Sequence, residues 1–458
     1  MAELREAVMV DFVRTPFGRA SKKRPGFFAD IRSDDLGIIA VEALMKRTKV
    51  DPASVDDIII GTPTQLAEQA QAARSITLAA GFPFEVTGLT VDRACGSSLS
   101  GAQIAAWAIQ TGAADIVIAG GIESLSHFPN PVITPETDLL ELAKEFSARG
   151  NPNPRMVARV DPEAMLGMGI TAEYLADKFD ISREEMDQWA LRSNLRAAAA
   201  QREGKFKHEI VPVEGKLPDG TVALVDYDQD VRPDSTIEKI RTLPPVYKPD
   251  GKVNAASSSK ESDGGSMAMF MSKEKARGLG LKPMVTVRST ALAGCDPAIM
   301  GYSAYLASKK ALERAGLSAK DIDLWETNEA FAVVPLALIK EFGIDPEKVN
   351  VNGGACCIGH AVGASGIRMV GTLAHEMNRR GSRYGVASIC GGMGQGTAPK
   401  VHYFLHPIPI RARPSSSHAP LLCRLHRYLI QYCPARAIGL SEEGIWRVPK
   451  RHTISVPT

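Results

Sequence analysis

Cys95, His360 and Cys390 each stand where a glycine-rich turn meets an apolar run. Cys95 lies in "VDRACGSSLSG", after a β-branched stretch and before a segment with helical apolar spacing. That order predicts a strand–turn–helix junction, where a helix N-terminus favours a thiolate and small neighbours leave room for a substrate. A buried, inert cysteine is the competing reading. His360 lies in "GACCIGHAVGASG" beside Cys356 and Cys357. Adjacent cysteines rarely both reach one ion, and no C-x-x-C or second histidine lies nearby, so no metal site is expected. Cys390 ends the β-branched run "YGVASIC" and leads into "GGMGQG", whose glycines suggest close backbone approach and exposed N–H donors. Asn328 in "WETNEAFAVVPLA" adds a neutral donor at a predicted strand-to-helix turn, where a helix N-cap is the alternative role.

These groups are far apart in sequence, and an internal repeat is what can bring them together. The series "VEALMKRTKVDPASVDDIIIG", "LTVDRACGSSLSGAQIAAWAI" and "ADIVIAGGIESLS" is echoed by "KKALERAGLSAKDIDLWETNEAF", "VNVNGGACCIGHAVGASGIRMV" and "YGVASICGGMGQG". Each copy reads as a helix, a short strand, a second strand entering a Cys/Gly-rich turn and helix, and a β-branched strand stopped by glycines. Alternating elements predict a mainly parallel, buried sheet in each half, related by a pseudo-twofold axis. The Cys95 turn corresponds to the His360 turn. The twofold would set a thiol opposite an imidazole, as nucleophilic cysteine catalysis requires.

The expected organisation is an N-terminal half from residues 1–125 and 251–290, an inserted domain at 126–250, a C-terminal half at 291–402 and a tail at 403–458. The insertion holds the loops "FPNPVITP" and "NPNP", the helical run "ISREEMDQWALRSNLRAAAAQREGKF" and a polar, hairpin-like region. "VHYFL" could complete an edge strand. Residues 400–458 carry nine Lys/Arg against two acids, so the body is mildly acidic despite a net charge of +2, which argues against nucleic acid as a partner. The seven cysteines lack a disulfide framework, and the apolar runs are too short for a membrane span. The N-terminus reads as neither a secretory signal nor a transit peptide, and a cytoplasmic location is expected.

"RACGSSLSG", "TNEAFA", "GHAVGASG" and "SICGGMGQGTA", in this order, resemble the thiolases, acyl-CoA:acetyl-CoA acyltransferases. The resemblance covers nearly all of residues 1–398, including "VRTPFGR" and "MGITAEYLADKFDISREEMDQWALRSN". It implies an α/β thiolase fold, two βαβαβ-type halves in α-β-α-β-α layers with an inserted loop domain covering coenzyme A. It also implies thiolysis of 3-ketoacyl-CoA and the reverse Claisen condensation. Cys95 would be the acylated nucleophile, His360 the group that activates it, and Cys390 the proton carrier. Asn328 would orient a water in one oxyanion hole, and the N–H groups of Cys95 and Gly392 would form the other. Met168, Arg232 and Ser259 fall where the family touches coenzyme A, a substrate rather than a tightly bound cofactor. A homodimer or homotetramer is expected, with a fatty-acid oxidation enzyme as a possible partner.

The chain departs from this pattern at Ala361, where the family has proline after the histidine, which predicts a less rigid turn. It departs again at Gly167, ahead of Met168 and Gly169, where many biosynthetic members carry histidine. That change predicts a wider acyl pocket and substrates longer than acetoacetyl-CoA. A ketoacyl-synthase-like condensing enzyme would use two histidines, and Asn328 with Cys390 speaks against it. A non-catalytic acyl-CoA or sterol carrier is opposed by the joint presence of Cys95, His360 and Cys390. The tail has no counterpart in the family and is assigned no role.

Overall fold

The computed structural model describes residues 4–128, 153–161 and 167–402. The expected tail and most of the proline-rich part of the insertion lie outside them. In the first half, β3 (Asp57–Gly61) lies between β4 (Thr87–Val91) and β5 (Ile116–Ser124), parallel to both. β8 (Ser262–Ser272) pairs antiparallel with β5, with β1 (Ala7–Arg14) and with the two-residue β2 (Gly18–Arg19). The second half repeats this scheme: β10 (Leu324–Thr327) is parallel to β11 (Tyr384–Gly391), and β12 (Gln395–His402) is antiparallel to β11 and to β9 (Val285–Gly294). Two residue pairs, Val8 with Thr286 and Met9 with Val285, join β1 to β9 and connect the halves into one sheet.

Each half is therefore mixed rather than mainly parallel. The cause is visible at β11 and β12, where the three-residue turn Gly392–Gly394 is far too short for a parallel crossover. A second expectation also changes. "VNVNGG" forms no strand but one isolated parallel bridge, Val349 to Trp325. Asn350 has a left-handed φ of 47°, and its side chain takes the Thr327 N–H and donates to the Thr327 carbonyl, both at 2.8 Å. A side-chain clamp thus replaces the ladder at this point. Val401 and His402 complete β12, which lies inside the sheet between β11 and β9 rather than at its edge.

The layers follow from strand alternation. Ile59 faces a cluster holding Leu99, Ala102 and Ile109 of α3 (Ser97–Thr111) and Ile367, Val370 and Leu373 of α8 (Ser365–Arg380). Its neighbours Ile58 and Ile60 face Val41 and Leu44 of α1 (Ser33–Thr48) on the other side. Phe270 of β8 and Ile389 of β11 share the α3–α8 cluster, so these two helices form the central layer between the halves. Burying Leu99 and Ile367 fully contributes about 1.5–3 kcal/mol each. α2 (Ala72–Ala79) joins α1 on one outer face, and α6 (Ser303–Ala315) covers β9, β11 and β12 on the other.

The inserted segment contributes α4 (Met168–Lys178), α5 (Arg183–Arg202) and the hairpin of β6 (Val213–Lys216) and β7 (Val222–Val225). A capping box starts α5: Ser182 Oγ accepts from the Glu185 N–H, and the Glu185 carboxylate accepts from the Ser182 N–H. Trp189 and Met186 pack with Phe331 and Val333, the start of α7 (Val333–Phe342). The return of the insertion is fixed by the fully buried Arg14, which donates to Glu209 and to both oxygens of Asp228 at 2.7–2.9 Å.

Candidate active site

Cys95 follows Ala94, a residue held at a φ of 48°, and precedes Gly96, the N-cap of α3. Asp92 accepts the Ala94 N–H at 2.7 Å and Ser97 Oγ accepts the Arg93 N–H at 2.9 Å, which tightens the turn and sets the thiol at the mouth of the helix. The backbone N–H groups of Gly392 and of Cys95 itself favour the thiolate. Burial outweighs them and, with Glu123 and Asp92 adding like charge, pushes the thiol up to about 11. Cys95 is thus a thiol at rest.

An imidazole is on the adjoining turn. Gly359 takes a φ of 110°, a conformation open to glycine, and delivers His360 to its place, where its N–H donates to the Lys260 carbonyl at 2.8 Å. The turn that follows docks on the start of α3: Ile367 N–H donates to Ser98 Oγ at 3.2 Å, and a Cβ on Gly366 would lie 2.6 Å from Leu99 N. The corresponding turns therefore meet, as the repeat implied. His360 Nδ1 lies 2.6 Å from Ser365 Oγ, and Ser365 donates to the Ala361 carbonyl at 2.9 Å. A hydroxyl that gives its proton to Ala361 accepts from Nδ1–H, which assigns the Nδ1–H tautomer and leaves Nε2 with a lone pair. Asn328 Nδ2 approaches Nε2 at 3.3 Å. Burial, followed by the nearby Arg368 charge, lowers the imidazole to about 3, so His360 is neutral at physiological pH.

Asn328 occupies the turn after β10, its N–H bonded to the Ser388 carbonyl on β11, two residues before Cys390. Its Oδ1 is buried and has no hydrogen-bond partner among the described residues. Cys390 is fully buried, and its thiol is pushed well above 9 first by burial and then by the neighbouring Cys95. Met168, the first residue of α4, brings its sulfur within 3.5 Å of a Cβ built on Gly392. The Tyr247 ring fills the space over Gly169 and meets Phe331 edge-on at 5.8 Å.

Arg232 lines a separate cleft of about 500 Å³, together with Arg24, Lys239, Asn194 and Lys260. Ser259, next to Lys260 in the chain, is partly buried, its N–H bonded to the Ala330 carbonyl two residues after Asn328. Cys356 and Cys357 are fully buried, one against the Glu329 carbonyl and the other against Ser193 Oγ, and act as packing residues. Sequence reasoning missed Ser365, Lys260 and Glu329. Ser365, five residues after His360 on the next helical turn, was the one with a readable signal.

A family model described as "Thiolase, N-terminal domain" matches residues 7–274, and one described as "Thiolase, C-terminal domain" matches 281–403. The chain is 43% identical over 400 residues to a 3-ketoacyl-CoA thiolase of Marinobacter nauticus, covering 86% of this chain and 97% of that one. It is also 43% identical over 406 residues to a 3-ketoacyl-CoA thiolase of Bacillus subtilis, covering 86% and 98%. Among solved structures, the human mitochondrial 3-ketoacyl-CoA thiolase in complex with CoA superposes with a TM-score of 0.77 at 36% identity, over 88% of this chain and 99% of that one. The Bacillus anthracis acetyl-CoA acetyltransferase gives 0.78 at 35%, over 88% and 100%. With both domain models matched and this identity sustained over full-length relatives, the chain belongs to the thiolase family.

Proposed function

We propose that the protein cleaves 3-ketoacyl-CoA with free coenzyme A, giving acyl-CoA and acetyl-CoA, and runs the reverse Claisen condensation through an acyl-Cys95 intermediate. The observation that carries this reading is the docking of the Cys95 turn, with the Gly392 N–H directed at its thiol, beside the turn of His360, whose Nδ1–H is held by Ser365 and whose Nε2 faces the Asn328 carboxamide at 3.3 Å. His360 Nε2 takes the thiol proton, and the sulfur attacks the C3 carbonyl, whose oxyanion meets the N–H groups of Cys95 and Gly392. The tetrahedral adduct collapses with the C2–C3 electron pair passing to the acetyl-CoA enolate. His360, now protonated, and a water held by Asn328 stabilise the enolate oxygen. The buried Asn328 Oδ1 is an acceptor such a water would satisfy. Cys390 protonates C2, then takes the proton of the incoming coenzyme A thiol. That thiolate attacks the acyl carbon, and Cys95 leaves and recovers its proton from His360.

Arg232, Ser259 and Met168 mark the path proposed for coenzyme A, from the cationic cleft to Gly392. Arg19 and Lys239 in the cleft are paired with Asp230 and Asp234, whereas Arg24, Arg232 and Lys260 form no salt bridge among the described residues, which suits a phosphate-bearing ligand. The buried Gly167 at the start of α4 supports acyl groups longer than acetyl. A homodimer or homotetramer remains part of the proposal: β4 pairs with β3 alone among the described strands and leaves Leu89 40% exposed at the sheet edge. A cytoplasmic location and a fatty-acid oxidation partner also stay in the proposal. No helix among the described residues is long and apolar enough to cross a membrane.

The test is thiolysis of acetoacetyl-CoA and of a medium-chain 3-ketoacyl-CoA with coenzyme A, followed by loss of the ketothioester. Turnover of both, with the higher kcat/KM on the longer substrate, is expected. Failure to consume either overturns the function, and a preference for acetoacetyl-CoA overturns the chain-length assignment.

A further inference from the structure

Glu329 follows Asn328 directly and is fully buried, yet it forms no salt bridge among the described residues. Hydrogen bonds engage both of its oxygens instead. Oε1 accepts from Trp189 Nε1 at 2.9 Å and Asn350 Nδ2 at 2.8 Å, and Oε2 accepts from Ser193 Oγ at 2.6 Å and the Cys356 N–H at 3.2 Å. The donors come from separate parts of the chain. Trp189 and Ser193 are four residues apart on one face of α5, in the inserted segment, while Asn350 and Cys356 belong to the loop that ends in His360. Asn350 also clamps Thr327 on the other side of Asn328, and Ser193 Oγ accepts the Gly354 N–H at 3.0 Å. Next to Ser193, Asn194 lines the cationic cleft and accepts the Arg232 N–H at 3.2 Å.

An ionised carboxylate has four acceptor sites and no donor, which matches four converging donors. A glutamine would turn an NH2 group toward two of them. Burying such a charge is costly without this full complement of donors, so the residue type is dictated by the junction it makes. From this convergence we infer that Glu329 is a positioning residue that fixes the Asn328 carboxamide at the reacting centre by tying its turn to α5 and to the His360 loop. It touches no substrate atom in the proposed reaction and acts through Asn328. The inference rests on the thiolase reading of the site.

The experiment compares Glu329→Gln and Ser193→Ala with the unaltered protein, in thiolysis and in alkylation of Cys95 by iodoacetamide mapped by mass spectrometry. Alkylation needs the Cys95 thiol and no oxyanion donor. Glu329→Gln is expected to lower kcat about tenfold to a hundredfold, as for a displaced oxyanion donor, with KM for coenzyme A changed less than about threefold and alkylation at its original rate. Ser193→Ala should show the same pattern at about threefold to tenfold in kcat, and it reports if Glu329→Gln does not fold. Unchanged kcat per folded molecule overturns the inference. So does a joint fall of kcat, alkylation rate and folded fraction, which marks a structural role alone. An inactive unaltered protein overturns the thiolase reading itself.

Discussion

The Ser365 hydroxyl lies 2.6 Å from His360 Nδ1 and gives its own proton to the Ala361 carbonyl at 2.9 Å. One serine on the first turn of α8 thereby fixes which imidazole nitrogen is free. Ser365→Ala leaves both tautomers open and the ring less restrained. The acylation rate should drop about tenfold or more, since positioned base catalysis accounts for about 10²–10⁴-fold. Single-turnover formation of the acyl-enzyme measures it, and an unchanged rate shows that the tautomer is set elsewhere.

Cys95 titrates at about 11, so its thiolate fraction rises nearly tenfold per pH unit throughout the neutral range. Alkylation of Cys95 by iodoacetamide should climb from about pH 6 to about pH 10 without a plateau. His360 stays neutral over that interval and adds no step of its own. A plateau near neutrality would instead reveal a thiolate–imidazolium pair in the resting enzyme.

Ala361 is fully buried, and its carbonyl carries the turn, accepting from Ala364 N–H, Ser365 N–H and Ser365 Oγ. Those bonds survive a proline at this position. Ala361→Pro should therefore stabilise the fold by about 0.4–1 kcal/mol by restricting the unfolded chain, with turnover at least preserved. Urea unfolding checks this directly; lost stability would mean that the backbone here has left the geometry proline requires.

Glu123 takes the Gly363 N–H at 3.1 Å and the Gln69 side chain at 2.9 Å, and burial raises its carboxyl from 4.5 to about 7. Its folded pKa exceeds its unfolded one. The stabilisation is complete below about pH 4.5 and is lost as pH rises toward about 7. Glu123→Gln removes this titration. The stability difference between the two proteins should change by roughly 1–3 kcal/mol across that window, read from urea midpoints at its two ends. A constant difference would place the carboxyl outside this range.

The meeting of the Cys95 turn with the His360 turn was legible because the fold is built twice, and a repeat in sequence becomes a twofold relation in space. Cys390 and Asn328 were legible for the same reason, each standing at the end of a strand whose partner could be found in the other copy. The residues that orient them were legible unequally. Ser365 bonds to His360 and Ala361 within five residues and left a local signal, whereas Glu329 acts through hydrogen bonds whose partners come from distant segments, and no local period marks such partners. Strand direction failed where connection length decides it, as at Gly392–Gly394. "VNVNGG" carried β-branched alternation, but Asn350 spent its side chain on Thr327 and broke the ladder. The cationic cleft was legible only in part: the family resemblance singled out Arg232, while Lys260 joins the cleft through the fold alone.

The central claim is an acyl group carried on Cys95. The most direct measurement is rapid quenching of the protein with a 3-ketoacyl-CoA in the absence of free coenzyme A, followed by peptide mapping for the acyl adduct. The account predicts a thioester on Cys95 that coenzyme A discharges, and no adduct or turnover in Cys95→Ala. An adduct on Cys390 instead, or thiolysis that survives Cys95→Ala, would contradict it.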